Sequence, residues 1–402
     1  MPDTLMHRLA DLAAASDSPD GLTRLFLSPA HGKAVAMVEH WMRMAGLTTH
    51  RDAIGNLVGR TETPGPVLML GSHIDTVRDA GWYDGTFGVL AAIAALEQLR
   101  AAGEGLPFGV EVIAFGDEEG VRFPQTLSGA RAVAGTFDPA ALAGLDENGV
   151  SMAAALSAFG GDPENIAKVA RKRDDVLGYV ELHIEQGPVL EAHDLPVGIV
   201  TAINGASRFS VTAAGKAGHA GTVPMSMRHD ALAAASAMVL AIESIGRSAP
   251  DLVATVGALR VHPDAPNSIA GRVVFSIDIR APEEALRAKA VGSVMTALHE
   301  IAHVRGVTVK IRPTHEAPAT ECALPLRMQL ARAVEACGIA PFHLPSGAGH
   351  DAMAVAALCP VAMLFVRCKG GISHAPEEFL ASADAQMAVS VLVEFLRNFQ
   401  TI

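Results

Sequence analysis

The stretch VLMLGSHIDTVRDAGWYDGTFGVLAAIAALEQLR, from Val67 to Arg100, decides how the chain is read. Its first four residues are apolar and β-rich, which predicts a buried strand running into Gly71-Ser72. Residues 86–100 are apolar around most of a helical surface, which predicts a buried helix. Between the two lie His73, Asp75 and Asp84, side chains with ligand chemistry placed in a connecting loop. Working outward, Val110–Phe115 predicts a second strand and Gly178–Leu182 a third. Strands alternating with helices predict an α/β fold with a mostly parallel sheet.

After about residue 207 the texture changes. Arg208–Ala213 predicts a strand with one polar face, 230–246 a helix, Leu252–Leu259 and Arg272–Ile279 alternating strands, 283–304 a helix, and Val307–Ile311 a strand. That order, β-α-β-β-α-β, is ferredoxin-like. From about 325 a helix, a buried strand (Val361–Val366) and a last helix resume the first pattern. The expected organisation is one α/β domain over 1–207 and 325–402, interrupted by an α+β domain over 208–324. Residues 138–176 show no usable period.

Composition excludes several classes. Half of the 402 residues are apolar, which argues against disorder. With 31 Lys+Arg against 43 Asp+Glu the net charge is −12, so no generally basic nucleic-acid surface is expected. The four cysteines (Cys322, Cys337, Cys359, Cys368) form no CxxC pair, which excludes a disulfide framework. Charge appears before any signal-peptide core and no 18-residue apolar run exists, so a cytoplasmic chain without a membrane span is expected. The chain shows no GxSxG elbow and no Walker A loop. Gly347–Ala352 matches GxGxxA, but the preceding segment is broken by prolines and starts no βαβ unit.

In α/β sheets sites form beyond the carboxyl ends of the strands. Four apolar strands here run into ligand-type residues: His73, Asp75 and Asp84; Glu118 and Glu119; His183, Glu185 and Gln186; and His374. One such residue is usually a loop side chain, but four strand ends together fit a two-metal hydrolase. Zn²⁺ accepts imidazole and carboxylate. Two ions need a bridging carboxylate, for which Asp84 is the natural candidate. In an extended segment Asp75 shares a face with His73 and is expected to orient its imidazole. Of the adjacent Glu118 and Glu119, one can bind metal while the other serves as general base.

The motifs GSHIDTV (71–77), YDGTFGVLA (83–91), GDEEGVRF (116–123), HIEQGPVLE (183–191), AGHAGTVPM (217–225), PNSIAG (266–271), DIR (278–280), GAGHDA (347–352) and GISHAP (371–376) span nearly the whole chain. In that combination the sequence resembles the hydantoinase/carbamoylase family of two-metal amidohydrolases, a branch of the aminoacylase and carboxypeptidase superfamily. The resemblance implies that His73 and His183 hold one ion, Glu119 and His374 the other, that Asp84 bridges, and that Glu118 is the base. It implies two divalent cations, Zn²⁺ foremost, with Mn²⁺, Co²⁺ or Ni²⁺ as alternatives. The inserted segment resembles that family's lid and dimerisation domain, so a homodimer is implied, with His219 reaching a partner's site as oxyanion donor. Asn267 and Arg280 look like substrate anchors, and Gln186 and Gly349 like contacts. His183, where the peptidase branch usually presents an acid, points to ureido substrates. The implied reaction is hydrolysis of the ureido C–N bond of N-carbamoyl-L-amino acids, with allantoate as the alternative and dipeptides or N-acyl amino acids less favoured. Where relatives often carry Gln, this chain has Ala206.

Overall fold

The structure is a computed structural model that describes residues 2–401. Val67–His73 is buried at all its positions and lies between Gly109–Phe115 and Val176–Ile184, parallel to both. Val361–Val366 extends the row, parallel to Val176–Ile184. These four strands are covered on both faces, which is why they read as apolar runs without alternation. Helix Thr86–Ala101 has 11 of its 16 residues buried and shares one core with Pro29–Met44 and Ser382–Arg397.

The sheet is mixed, and this corrects the mostly parallel expectation. Leu57–Arg60 runs antiparallel to Gly109–Phe115 and to Thr48–Arg51, and Val197–Ile203 runs antiparallel to Val361–Val366. The cause is local connectivity. A short turn joins Thr48–Arg51 to Leu57–Arg60, too short for the crossover that parallel neighbours require. Asp52 closes it by accepting the N–H groups of Ile54 (3.1 Å) and Asn56 (2.9 Å).

Residues 138–176 hold three 3₁₀ segments around the helix Met152–Phe159. Short turns of that kind carry no 3.6-residue period, which explains their illegibility.

The chain clusters into two compact units. The first runs through Thr201, resumes over Cys322–Leu344 and continues from Ala348. The second comprises Ala202–Glu321 and Pro345–Gly347. In the second, Gly205–Ala214, Arg272–Ala281, Leu259–His262 and Thr308–Ala317 form an antiparallel sheet with Gly205–Ala214 and Arg272–Ala281 central. The strand expected at 252–259 is instead Val253–Thr255 and Leu259–His262, both paired to Arg272–Ala281. Helices Ala231–Gly246 and Glu284–Arg305 share a core with one face of this sheet. Asp230 caps the first by accepting the N–H of Leu232 at 2.9 Å and of Ala233 at 3.1 Å. Among the described residues no helix is long and apolar enough to cross a membrane.

His31 makes one stability term testable. Its ring stacks on Phe159 at 5.1 Å and its Nδ1 accepts the Leu27 N–H at 3.1 Å. Burial, helped by Arg24, Arg51 and Arg122, pulls its pKa down to about 3. The unfolded chain therefore binds a proton near pH 6.5 that the folded chain refuses, so stability falls as pH drops. The expected slope is about 1.4 kcal/mol per pH unit below that point. H31N keeps an acceptor for Leu27 and removes the titration, so urea unfolding at pH 5 and 7 should show a smaller difference than the wild type.

Candidate metal centre

The parallel strands deliver their carboxyl ends to one place, and the ligand-type residues follow. His73 is the last residue of its strand and His183 the penultimate residue of its own. Each ring is oriented by a backbone carbonyl: His73 Nδ1 lies 2.9 Å from Asp75 O, and His183 Nδ1 lies 2.9 Å from Ile184 O. Such bonds hold the proton on Nδ1 and turn the Nε2 lone pair inward.

Both Nε2 atoms face one oxygen of Asp84. Oδ1 is 3.1 Å from His183 Nε2 and 3.6 Å from His73 Nε2. The other oxygen, Oδ2, is 3.1 Å from His374 Nε2, which in turn is 3.7 Å from Glu119 Oε2. Two ligand sets therefore meet on opposite oxygens of a single buried carboxylate. Glu118 Oε2 is 3.9 Å from His73 Nε2.

Asp75 faces the His73 ring with two groups: its carbonyl oxygen lies 2.9 Å from Nδ1, and its carboxylate Oδ1 lies 3.9 Å from the same atom. The carboxylate receives the Glu118 and Glu119 N–H groups, each at 3.3 Å, and so shapes the turn that carries both acids.

The donor set fits divalent cations. Imidazole nitrogens and carboxylate oxygens suit Zn²⁺, Co²⁺, Ni²⁺ or Mn²⁺. Glu119 Oε1 is buried without a hydrogen-bond partner, the mark of an atom with an unused coordination role. Ionisation agrees. Burial works to raise the Asp84 pKa, yet His183, His374 and His73 together hold it well below the carboxylate range. Burial and the charge of Asp84 push Glu119 up to about 7. Burial raises Glu118 well above its usual range, with Glu119, Asp351 and Asp75 adding to the shift. The hydrogen bond to Asp84 raises His374 to about 9. Positive charge is wanted on both sides of Asp84.

The remaining singled-out residues fall as follows. Gln186 spends its Nε2 on Asp84 Oδ2 (2.9 Å) and Ser373 Oγ (3.2 Å), leaving a buried Oε1 with no hydrogen-bond partner. Gly349 borders Glu118: a Cβ there would stand 3.8 Å from Glu118 Oε1. In the second unit, His219 pairs with Ser268, and the Asn267 carbonyl accepts the Ala220 N–H at 2.9 Å. His219 is exposed, and its Nδ1 accepts the Gly221 N–H at 3.1 Å, which leaves Nε2–H as the donor of the neutral ring. Arg280 gives Nε and Nη2 to the two oxygens of Asp278 (3.0 and 2.9 Å) and Nη1 to Gly347 O (2.6 Å). A guanidinium has five N–H groups. One remains on each terminal nitrogen, a fork suited to a carboxylate. Arg208 also bonds Asp278, at 2.9 Å, and Ala206 is the cross-strand neighbour of Arg280.

Two groups escaped the sequence reading. Glu181 is buried and accepts Ser72 Oγ–H at 2.9 Å and the Ala352 N–H at 3.0 Å. It lies two residues before His183 on the same strand, so a period of two was its available signal. Glu378, four residues after His374 and next to Glu377, is buried and accepts the Tyr83 and Asp84 N–H groups.

Residues 69–398 match the model of peptidase family M20/M25/M40. The chain is 40% identical to the N-carbamoyl-L-amino acid amidohydrolase of Geobacillus stearothermophilus, covering 97% of this chain and 96% of that one. It is likewise 40% identical to the allantoate deiminase of Arabidopsis thaliana, covering 98% and 82%. The crystal structure of a hydantoinase/carbamoylase family amidase from Burkholderia multivorans superposes with TM-score 0.93 at 31% identity, over 98% of this chain and 97% of that one.

Gly85 offers a local test. Its φ is +64° and a Cβ there would collide with the His73 imidazole. G85A should therefore displace that ring and weaken Zn²⁺ uptake about 10–100-fold, the range found when partners of metal ligands are lost. Calorimetric titration of the metal-stripped protein reads this directly, and unchanged affinity would contradict the placement of His73.

Proposed function

The chain belongs to peptidase family M20/M25/M40, and on that premise we propose that it hydrolyses the ureido C–N bond of N-carbamoyl-L-amino acids, releasing amino acid, carbon dioxide and ammonia. The observation that carries the proposal is the Asp84 carboxylate, whose two oxygens face separate ligand sets with Glu118 alongside. His73 and His183 would hold one cation, Glu119 and His374 the second, and Asp84 would bridge. Zn²⁺ is the first choice, with Mn²⁺, Co²⁺ or Ni²⁺ as alternatives. When bound, such cations supply Lewis acidity toward a carbonyl oxygen and make water more acidic.

The chain's own groups do the rest. Glu118, whose burial raises its proton affinity, removes a proton from the attacking water and returns it to the leaving nitrogen. The Arg280 fork grips the substrate carboxylate, and Asn267 and the Gln186 Oε1 offer polar contacts. His219, with Nε2–H available, donates to the oxyanion that forms on the ureido carbonyl. We place His219 in the site of a partner copy, in a homodimer formed through the second unit. Exposed Met225, Met227 and Leu240 on that unit are apolar surface of the kind such a contact uses. Cys337, Cys359 and Cys368 are thiols, in keeping with a reducing cytoplasm.

Allantoate is the second reading, because relatives named for either substrate are equally identical to this chain. A parallel assay of N-carbamoyl-L-amino acids and allantoate on Zn²⁺- and Mn²⁺-loaded enzyme decides between them. Turnover of neither overturns the proposal. E118Q should abolish turnover while cation uptake persists, and retained activity would remove Glu118 from the base role. R280K keeps the charge but loses the fork. It should raise KM about tenfold or more, since a hydrogen bond to a charged group contributes about 1.5–3 kcal/mol.

A further inference from the structure

Glu378 takes no part in the chemistry above, yet its position is tightly constrained. The side chain is 5% exposed. Its Oε1 accepts two backbone N–H groups, from Tyr83 at 2.7 Å and Asp84 at 3.1 Å. Its Oε2 lies 2.9 Å from Ser373 Oγ, and the same Oγ lies 3.0 Å from Asp84 Oδ2. The carboxylate thus touches the Asp84 segment from behind, through the backbone, and from the front, through one intervening hydroxyl.

Two further observations show that the contact is built in. Gly81 has no side chain where a Cβ would run into Glu378. His374 has φ +56°, a left-handed conformation that costs a non-glycine residue about 1–3 kcal/mol and persists only where its surroundings enforce it. Ser373 and Glu378 flank His374, and both are fastened to the Asp84 segment.

We infer that Glu378 is a positioning residue for the metal centre. By gripping the Asp84 backbone and the Ser373 hydroxyl together, it fixes the plane of the Asp84 carboxylate and keeps His374 in register with Asp84 Oδ2. The inference rests on the two-cation reading above. It extends that reading to a residue that contacts neither substrate nor cation and acts through Asp84 and His374.

Donor counting makes it testable. In E378Q the amide oxygen still accepts both N–H groups. The amide N–H can donate to Ser373 Oγ, which leaves the hydroxyl proton for Asp84. E378A removes both grips, and G81A pushes the carboxylate away from outside. The experiment titrates metal-stripped, full-length protein with Zn²⁺ against a chromophoric chelator, with Tm measured alongside. Wild type should take up two equivalents. E378A and G81A should weaken at least one of them about 10–100-fold, whereas E378Q should stay near wild type. Should E378A fail to fold, S373A, which deletes only the intervening hydroxyl, carries the comparison and should shift affinity in the same direction. Two equivalents bound with wild-type affinity by E378A, or by S373A in its place, overturn this inference alone, as does E378Q behaving like E378A. A wild-type chain that takes up no Zn²⁺ overturns the two-cation reading and this inference with it.

Discussion

One buried carboxylate, Asp84, sits among three imidazoles, and the first unit is organised to make that arrangement tolerable. A charge taken out of water is costly unless paired and hydrogen-bonded. Asp84 meets His183 and His73 on one oxygen, and His374, Gln186 and Ser373 on the other. None of these partners is local to it except His73, so the site exists only once strands distant in sequence are paired. Four parallel strands with apolar interiors accomplish this. Their burial stabilises the sheet, and their register carries His73 and His183 to the same end.

The surroundings of the ligands are as specific as the ligands. Backbone carbonyls of Asp75 and Ile184 set two ring orientations. Asp75 holds the turn of Glu118 and Glu119 through two N–H groups, and Glu181 ties Ser72 to Ala352 beneath the strand ends. In the second unit the same economy appears at Arg280, where Asp278 and Gly347 use three of the guanidinium's five N–H groups and leave the carboxylate-shaped pair open.

Much of this was legible beforehand because the pattern is strong: an apolar strand that stops and is followed at once by His, Asp or Glu. His73, Glu118 and His183 are legible in that way, and the structure brings His73 and His183 to one oxygen of Asp84 and Glu118 beside His73. Strand direction was not legible. Thr48–Arg51 and Leu57–Arg60 look alike in either orientation, and only the short turn between them dictates antiparallel pairing. The strand ends at His73, so the Asp75 carbonyl faces the ring as well as its carboxylate, a contact that a period of two does not foretell. Glu378 was hidden for a different reason. In sequence it adjoins Glu377 and resembles solvated charge, and its significance lies in backbone N–H groups some 300 residues away, at Tyr83 and Asp84 (sequence separations 295 and 294).

The central claim is that the two oxygens of Asp84 serve two cations. Anomalous diffraction from crystals equilibrated with Zn²⁺ tests it most directly. Two peaks about 3.5–4 Å apart are expected, one within bonding reach of His73 and His183, the other of Glu119 and His374, with Asp84 between them. A single peak, or peaks that leave either Asp84 oxygen without an ion, would contradict it.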